Sequence, residues 1–187
     1  MAEPVLELLV GMIGSGKSTY ALQRAREGAI IICHDALVEG FHGEYRYEQG
    51  LRSFYRHCEV QMVRAAIDMG LSVVIDRTHL TRESRTRWVR LAGRRGVPCR
   101  AVVFPRVTAQ EHARRRFVAD PRGRSYEDWL MVAQHHEAQA EAEPFDETAW
   151  QQEGFDEVVF WADPPGEEGG TQPRPVIWMN DQDLHDR

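Results

Sequence analysis

The sequence predicts a three-layer α/β/α domain built on a mostly parallel five-stranded sheet, with a helical, arginine-bearing lid. Three observations predict it. Short apolar runs at Val5–Val10, Ala29–Cys33, Ser72–Ile75, Arg100–Phe104 and Asp156–Trp161 alternate with longer segments of helical periodicity, the rhythm of βα units feeding a parallel sheet. The first run leads directly into Gly11-Met-Ile-Gly-Ser-Gly-Lys-Ser18, which fits the pattern G-x-x-x-x-G-K-[S/T]. At 187 residues the chain has the size of one ordinary domain.

The glycine-rich segment carries the chemistry of a phosphate loop. Gly11, Gly14 and Gly16 let the backbone turn until successive N–H groups point inward at phosphate oxygens, at the positive end of a helix. Ser15 and Thr19 belong to the same cradle, Lys17 neutralises the outer phosphates, and Ser18 offers its hydroxyl to Mg²⁺. Lys17 is the only lysine, beside 22 arginines, so a compact, flexible ammonium is kept for the place that needs one. ATP with Mg²⁺ is the expected cofactor pair.

Composition narrows the setting. No segment reaches 18 apolar residues, and Met1-Ala2-Glu3-Pro4 has no signal-peptide character, so no membrane association and a cytoplasmic location are expected. Cys33, Cys58 and Cys99 are odd in number and widely spaced, and read as small buried residues. Residues 1–81 hold 8 basic and 10 acidic side chains, 82–124 hold 13 and 3, and 125–187 hold 2 and 16. The net charge of −6 argues against a protein that coats long nucleic acid, while the basic middle suits a phosphate-rich ligand.

Taken in order, the first helix runs from Lys17 to Glu27 and ends at Gly28. The isoleucine-rich second strand stops at His34-Asp35, which places Asp35 on the carboxyl rim of the sheet beside the phosphate loop. There it fits a general base, or the N-cap of a short turn. Residues 40–50, with Phe41, Tyr45 and Tyr47, fit either a stacking surface or an aromatic cover. Leu51, Phe54, Tyr55, Cys58, Met62, Ala65, Ala66 and Met69 predict a long helix with that apolar stripe, leaving Arg52, Arg56 and Arg64 on a solvated face.

The third strand ends at Asp76, with Arg77, Thr78 and His79 continuing along the rim as candidate substrate contacts. Thr81 caps a helix to Arg95 whose arginines, including Arg85 and Arg87, read as solvating. After the fourth strand, a helix over 108–119 ends in Arg114-Arg115-Arg116. Asp120-Pro-Arg-Gly-Arg124 then turns into a helix opened by a capping pair of Ser125 and Asp128. This arginine-bearing pair of helices fits a lid over a nucleotide, or an exposed basic hairpin. The domain is expected to span 1–162, followed by a Pro/Gly-rich acidic tail over 163–187 with an edge strand at 176–179.

The phosphate loop, His34-Asp35, Gly43-Glu-Tyr-Arg-Tyr47, Val73-Val-Ile-Asp-Arg-Thr-His-Leu80 and Arg82-Glu-Ser-Arg85 together resemble the phage-type polynucleotide 5′-kinase domain and related bacterial P-loop kinases, including the zeta-toxin-like group. The resemblance covers residues 5–161 and implies a kinase-like P-loop NTPase. In it Lys17 and Ser18 serve the phosphates and the metal, Asp35 is the base for a 5′-hydroxyl, Asp76 and Thr78 stand at the substrate rim, and Arg116 is the catalytic lid arginine, with Arg122 or Arg124 second. Two departures stand out: Val38 occupies the position of the family's acceptor-phosphate arginine, for which Arg46, Arg77 or Arg82 could substitute, and His79 that of a rim asparagine.

The resulting expectation is transfer of the γ-phosphate to a hydroxyl, with a nucleic acid 5′-OH end as acceptor. Alternatives are a small hydroxylated metabolite, a nucleotide sugar or an aminoacyl-tRNA as acceptor, and a nucleotide switch without kinase activity.

Overall fold

The computed structural model describes residues 3–120, 122–161 and 176–179. Strand β1 (Leu6–Val10) is buried at every position, a state open to a strand only when both faces of its sheet are covered. It lies between β3 (Val73–Asp76) and β4 (Cys99–Val103), parallel to both, with Leu8 opposite Ile75 and Ala101. Strand β2 (Ile30–Cys33) extends the parallel array beyond β3, and β5 (Glu157–Phe160) beyond β4. Strand β6 (Val176–Met179) pairs antiparallel with β5, giving the order β2-β3-β1-β4-β5-β6. The five expected strands are thus parallel, and the expected edge strand is a sixth; the rest of the tail assigned to 163–187 lies outside the described residues.

The side chains of β1 divide between the two faces. Leu6, Leu8 and Val10 pack with Val63, Ala66 and Ile67 of α3 (Arg52–Asp68) and with Trp88, Leu91 and Ala92 of α4 (Arg82–Arg95). On the other face Leu9 packs with Tyr20 and Ala21 of α1 (Lys17–Arg26). Helices α5 (Ala109–Val118) and α6 (Tyr126–Ala142) close a third cluster around Met12, Leu80 and Trp129, above the carboxyl end of β1. Thr81 and Ser125 cap α4 and α6 as expected, Ser125 with Asp128 forming a full capping box, and Thr108 caps α5. Helix α2 (His34–His42) starts immediately after β2. Among the described residues no helix is long and apolar enough to cross a membrane.

Two sequence expectations fail on helical phase. The buried face of α3 is Tyr55, Glu59, Val63, Ala66 and Ile67, whereas Phe54, Met62 and Met69 are exposed. Glu59 occupies a core position because ion pairs compensate its charge, which periodicity of apolar residues cannot register. On α4, Arg82, Arg90 and Arg94 are exposed as expected, but Arg85 is buried. Its guanidinium donates to both carboxylate oxygens of Glu153 at 2.7 Å and to the carbonyls of His79 and Leu80 at 2.9 and 2.8 Å. Glu153 ends α7 (Glu147–Glu153), a helix absent from the sequence reading.

This arginine braces the segment after β3. Gly11 N–H donates to Thr78 O at 3.0 Å, and His79 Nδ1 donates to Leu9 O at 3.0 Å, so residues 78–80 are sewn to the end of β1 where the phosphate loop begins. His79 is buried in a left-handed conformation at φ 44. Burial holds its imidazole neutral, with the pKa pushed down to about 3.

Two outcomes are expected. Glu153→Ala leaves Arg85 buried without its carboxylate and lowers unfolding free energy by about 3–5 kcal/mol, measured by urea denaturation; Arg85→Met with Glu153→Met loses less than the single change. The unfolded chain protonates His79 near its ordinary 6.5, whereas the folded protein does so only near 3. Stability therefore falls as pH drops from 6.5 toward 3. His79→Asn, compatible with the left-handed backbone, flattens that slope between about pH 6.5 and 5, where carboxylates titrate little.

Candidate active site

The loop after β1 is shaped by what packs on it. A Cβ at Gly14, whose φ is +64, would stand 2.6 Å from the carbonyl oxygen of His112 and 3.2 Å from the backbone nitrogen of Arg116, so α5 lies directly against the loop. Gly16 takes φ +94 and precedes α1 with no side-chain cap. The first N–H groups of α1 therefore present positive partial charge at the loop's mouth. Lys17 is buried, and its ammonium donates to the carbonyl of Met12 and to Ser15 Oγ. Burial lowers its pKa to about 8, against the attraction of Asp76, and the charge of Arg116 lowers it further. Ser18 and Thr19 are exposed at the same mouth.

The parallel register sets Cys33 opposite Asp76, which brings the residues after β2 and β3 to one rim. Asp76 accepts a hydrogen bond from Ser18; burial raises its pKa, opposed by that hydrogen bond and by Lys17, while the charge of Asp35 raises it further. A serine hydroxyl and a carboxylate side by side are hard oxygen donors of the kind Mg²⁺ takes while keeping phosphate and water ligands. Among the described residues no group of three or more His, Cys, Asp or Glu is placed to hold a metal ion.

Asp35 lies in the first turn of α2 with its side chain 46% exposed. Arg122 Nη1 donates to Asp35 Oδ2 at 3.1 Å, and its guanidinium sits 3.7 Å from the centre of the Tyr45 ring. Tyr45 also hydrogen-bonds Asp35; burial first, then the carboxylate, raises the phenol's pKa. The turn bearing Arg122 is organised by Asp120, which accepts from the backbone N–H of Arg122 and Arg124 and from the Trp129 indole at 3.0–3.1 Å. Arg116 stacks on Trp129 at 4.5 Å. The two lid arginines therefore divide: Arg116 lies on the Lys17 side, Arg122 on Asp35.

The rim residues after Asp76 separate. Arg77 turns to Glu59, donating at 2.8 and 2.9 Å, and Thr78 uses its carbonyl to hold Gly11. His79, expected at the substrate, is instead buried in the core because its ring bonds Leu9. Glu59 and Asp120 are site neighbours without a role in the sequence expectations, where Arg87 reads only as solvating and Tyr45 as part of a stacking surface or aromatic cover.

The sequence profile of the AAA domain family matches residues 6–145. Among solved structures, the chain is similar to one in the Pnkp1/Rnl/Hen1 RNA repair complex, at 20% identity and a TM-score of 0.62, covering 78% of this chain and 47% of that one. It is similar to a fungal RNA kinase at 14% identity and a TM-score of 0.61, covering 92% and 41%. It is also similar to the Mycobacterium tuberculosis APS kinase CysC in complex with AMPPNP and APS, at 16% identity and a TM-score of 0.50, covering 75% and 99%. This chain spans less than half the length of the RNA repair and fungal chains, and at these identities the likeness is one of fold. With the phosphate-loop strand, the rim of β2 and β3 and nearly all of the lid inside the matched span, the chain belongs to the AAA domain family and has a P-loop kinase-like α/β fold.

Proposed function

We propose that this chain is an ATP-dependent kinase that moves the γ-phosphate to a hydroxyl, with the 5′-OH of a polynucleotide as acceptor. The observation that carries the reading is the half-exposed carboxylate of Asp35 on the same rim as Lys17, Ser18 and Asp76, under a lid arginine. In this mechanism Asp35 accepts the acceptor's proton as its oxygen bonds to the γ-phosphorus and the bond to the ADP oxygen breaks. Lys17, Arg116 and Arg122 meet the charge spread over the transferred group. Mg²⁺, held by Ser18 and Asp76, would neutralise the phosphate oxygens. The pair of Arg122 with Asp35 keeps the lid down on the base, and triphosphate oxygens compete for that guanidinium.

The fold likeness to chains described as an RNA kinase and part of an RNA repair complex agrees with a polynucleotide acceptor. A second reading, a small hydroxylated acceptor, is favoured by Val38, which is fully buried at the place where an acceptor-phosphate arginine was expected. Salt separates the two: transfer to a strand weakens as salt rises, and transfer to a small neutral acceptor does not.

With γ-labelled ATP and Mg²⁺, 5′-OH oligonucleotides are expected to take up label. Asp35→Ala lowers transfer about 10²–10⁴-fold while ATP affinity, measured by calorimetry, stays near that of the unaltered chain; full transfer by this variant removes Asp35 from the mechanism. Arg122→Ala lowers kcat by about 10²–10³-fold if its guanidinium reaches the transition state, and an unchanged kcat leaves it a lid tether only.

A further inference from the structure

Glu59 stands midway along α3, on the stripe that also carries Tyr55 and Val63, with its side chain wholly buried. Two of its partners are chain neighbours of the rim carboxylates. His34, at 3.0 Å, directly precedes Asp35 and opens α2. Arg77, which donates to both carboxylate oxygens at 2.9 and 2.8 Å, directly follows Asp76 at the end of β3. Arg87 of α4 stands 3.9 Å away. Burial alone would raise the Glu59 carboxyl, but His34, Arg77 and Arg87 outweigh it and hold it ionised.

The contact with His34 governs how α2 lies. His34, Val38 and His42 fall on one stripe of this helix at four-residue spacing. Val38 is fully buried, and His42 Nε2 meets the Tyr55 hydroxyl at 2.7 Å, one turn from Glu59 on α3. Two polar rungs, His34 on Glu59 and His42 on Tyr55, therefore fix this stripe against α3. Asp35 is turned about 100° from His34 around the helix, which takes it off that stripe and lets it meet Arg122. A side-chain tip stands about 5 Å from the helix axis, so turning α2 by about 20° would carry the carboxylate through roughly 2 Å. Close packing does not block that turn from outside, because His34 and Arg77 line, with Arg52, Arg56 and Arg87, a cavity of about 130 Å³.

We propose that Glu59 is a positioning residue for phosphoryl transfer, holding Asp35 through His34 and the chain beyond Asp76 through Arg77, so that the two rim carboxylates keep one relative geometry. The inference rests on the kinase reading above and deepens it by naming what sets the base. Glu59 itself touches no reacting atom. A carboxylate on an otherwise apolar helix face carries a desolvation penalty that apolar packing would avoid. What it gains here is geometry, since a misplacement of about 1 Å lowers a rate on the order of 10²-fold. The two arms are unequal. The chain after Asp76 is also held by Thr78 O on Gly11 and by His79 on Leu9. The start of α2 has His34 on Glu59 and, at Asp35, the lid's Arg122, for which the triphosphate competes. Loss of Glu59 therefore acts on Asp35 more than on Asp76 and the phosphate loop, and on kcat more than on ATP affinity.

The test uses the full chain with Glu59→Gln, which keeps the side chain's shape, and with His34→Ala, which removes one partner at a half-buried position and spares the fold if Glu59→Gln does not. With γ-labelled ATP, Mg²⁺ and a 5′-OH oligonucleotide, each is expected to lower kcat by about 10–10²-fold, while ATP affinity, measured by calorimetry, stays near that of the unaltered chain. His34→Asn, whose amide donates where Nδ1 does, is expected to recover most of the loss. In the Asp35→Ala background the same substitutions cost no further rate, because they act through the group already removed. Hydrogen exchange, which needs no acceptor, is expected to quicken over residues 34–42 in both variants and to stay unchanged over α1. A loss that persists in full in the Asp35→Ala background, or α2 exchange and kcat both unaltered, overturns the inference and leaves the kinase reading standing. Full transfer by Asp35→Ala removes the base from the kinase reading and this inference with it.

Discussion

Parallel pairing of β2 on β3, with Cys33 opposite Asp76, brings the residues after both strands to one rim in different surroundings. Asp76 ends its strand inside the sheet's edge, against Ser18 and Lys17, where desolvation makes its charge costly and an adjacent cation useful. Asp35 sits two residues beyond its strand, in the first turn of a helix, with much of its carboxylate in water. The same two-strand register therefore separates a buried carboxylate beside Ser18 and Lys17 from a solvent-side one. A shift of β2 by one residue would turn its alternating side chains to the opposite faces and undo this arrangement.

The predominance of arginine over lysine has a structural counterpart. Buried Glu7 takes Arg24 at 2.9 Å and Arg100 at 2.6 Å, Glu153 takes Arg85, and Glu59 takes Arg77. Planar guanidinium forks can satisfy a carboxylate and nearby carbonyls together, as Arg85 does. Such pairs add little net stability compared with apolar packing, but breaking one leaves an uncompensated charge, so each pins its two elements in place. Around buried Glu59, His34, Arg77 and Arg87 converge on one carboxylate.

The lid was readable as two helices joined by an arginine-bearing turn, the second opened by a capping pair, because Ser125 and Asp128 act locally. Which arginine faces which group was not. Arg122 reaches Asp35 across 87 residues of chain, and Asp120 sets that geometry by gathering the backbone of the turn. The phase of α3 was misread for a similar reason. Its apolar count favoured Phe54, Met62 and Met69, yet packing turned Glu59 inward because His34 and Arg77 were waiting there.

By itself the sequence determined the five parallel strands and all the helices but α2 and α7, the phosphate loop with its lone lysine, and the placing of Asp35 and Asp76 at strand ends. These follow from local periodicity, glycine conformation and capping, which act over a few residues. Only the tertiary structure decided that His79 is core, that Arg85 is a buried brace, and that Arg52, Arg56, Arg77 and Arg87 share one cavity. Charges behave this way because their burial depends on partners supplied by distant segments, and no spacing along a single helix records where those partners lie.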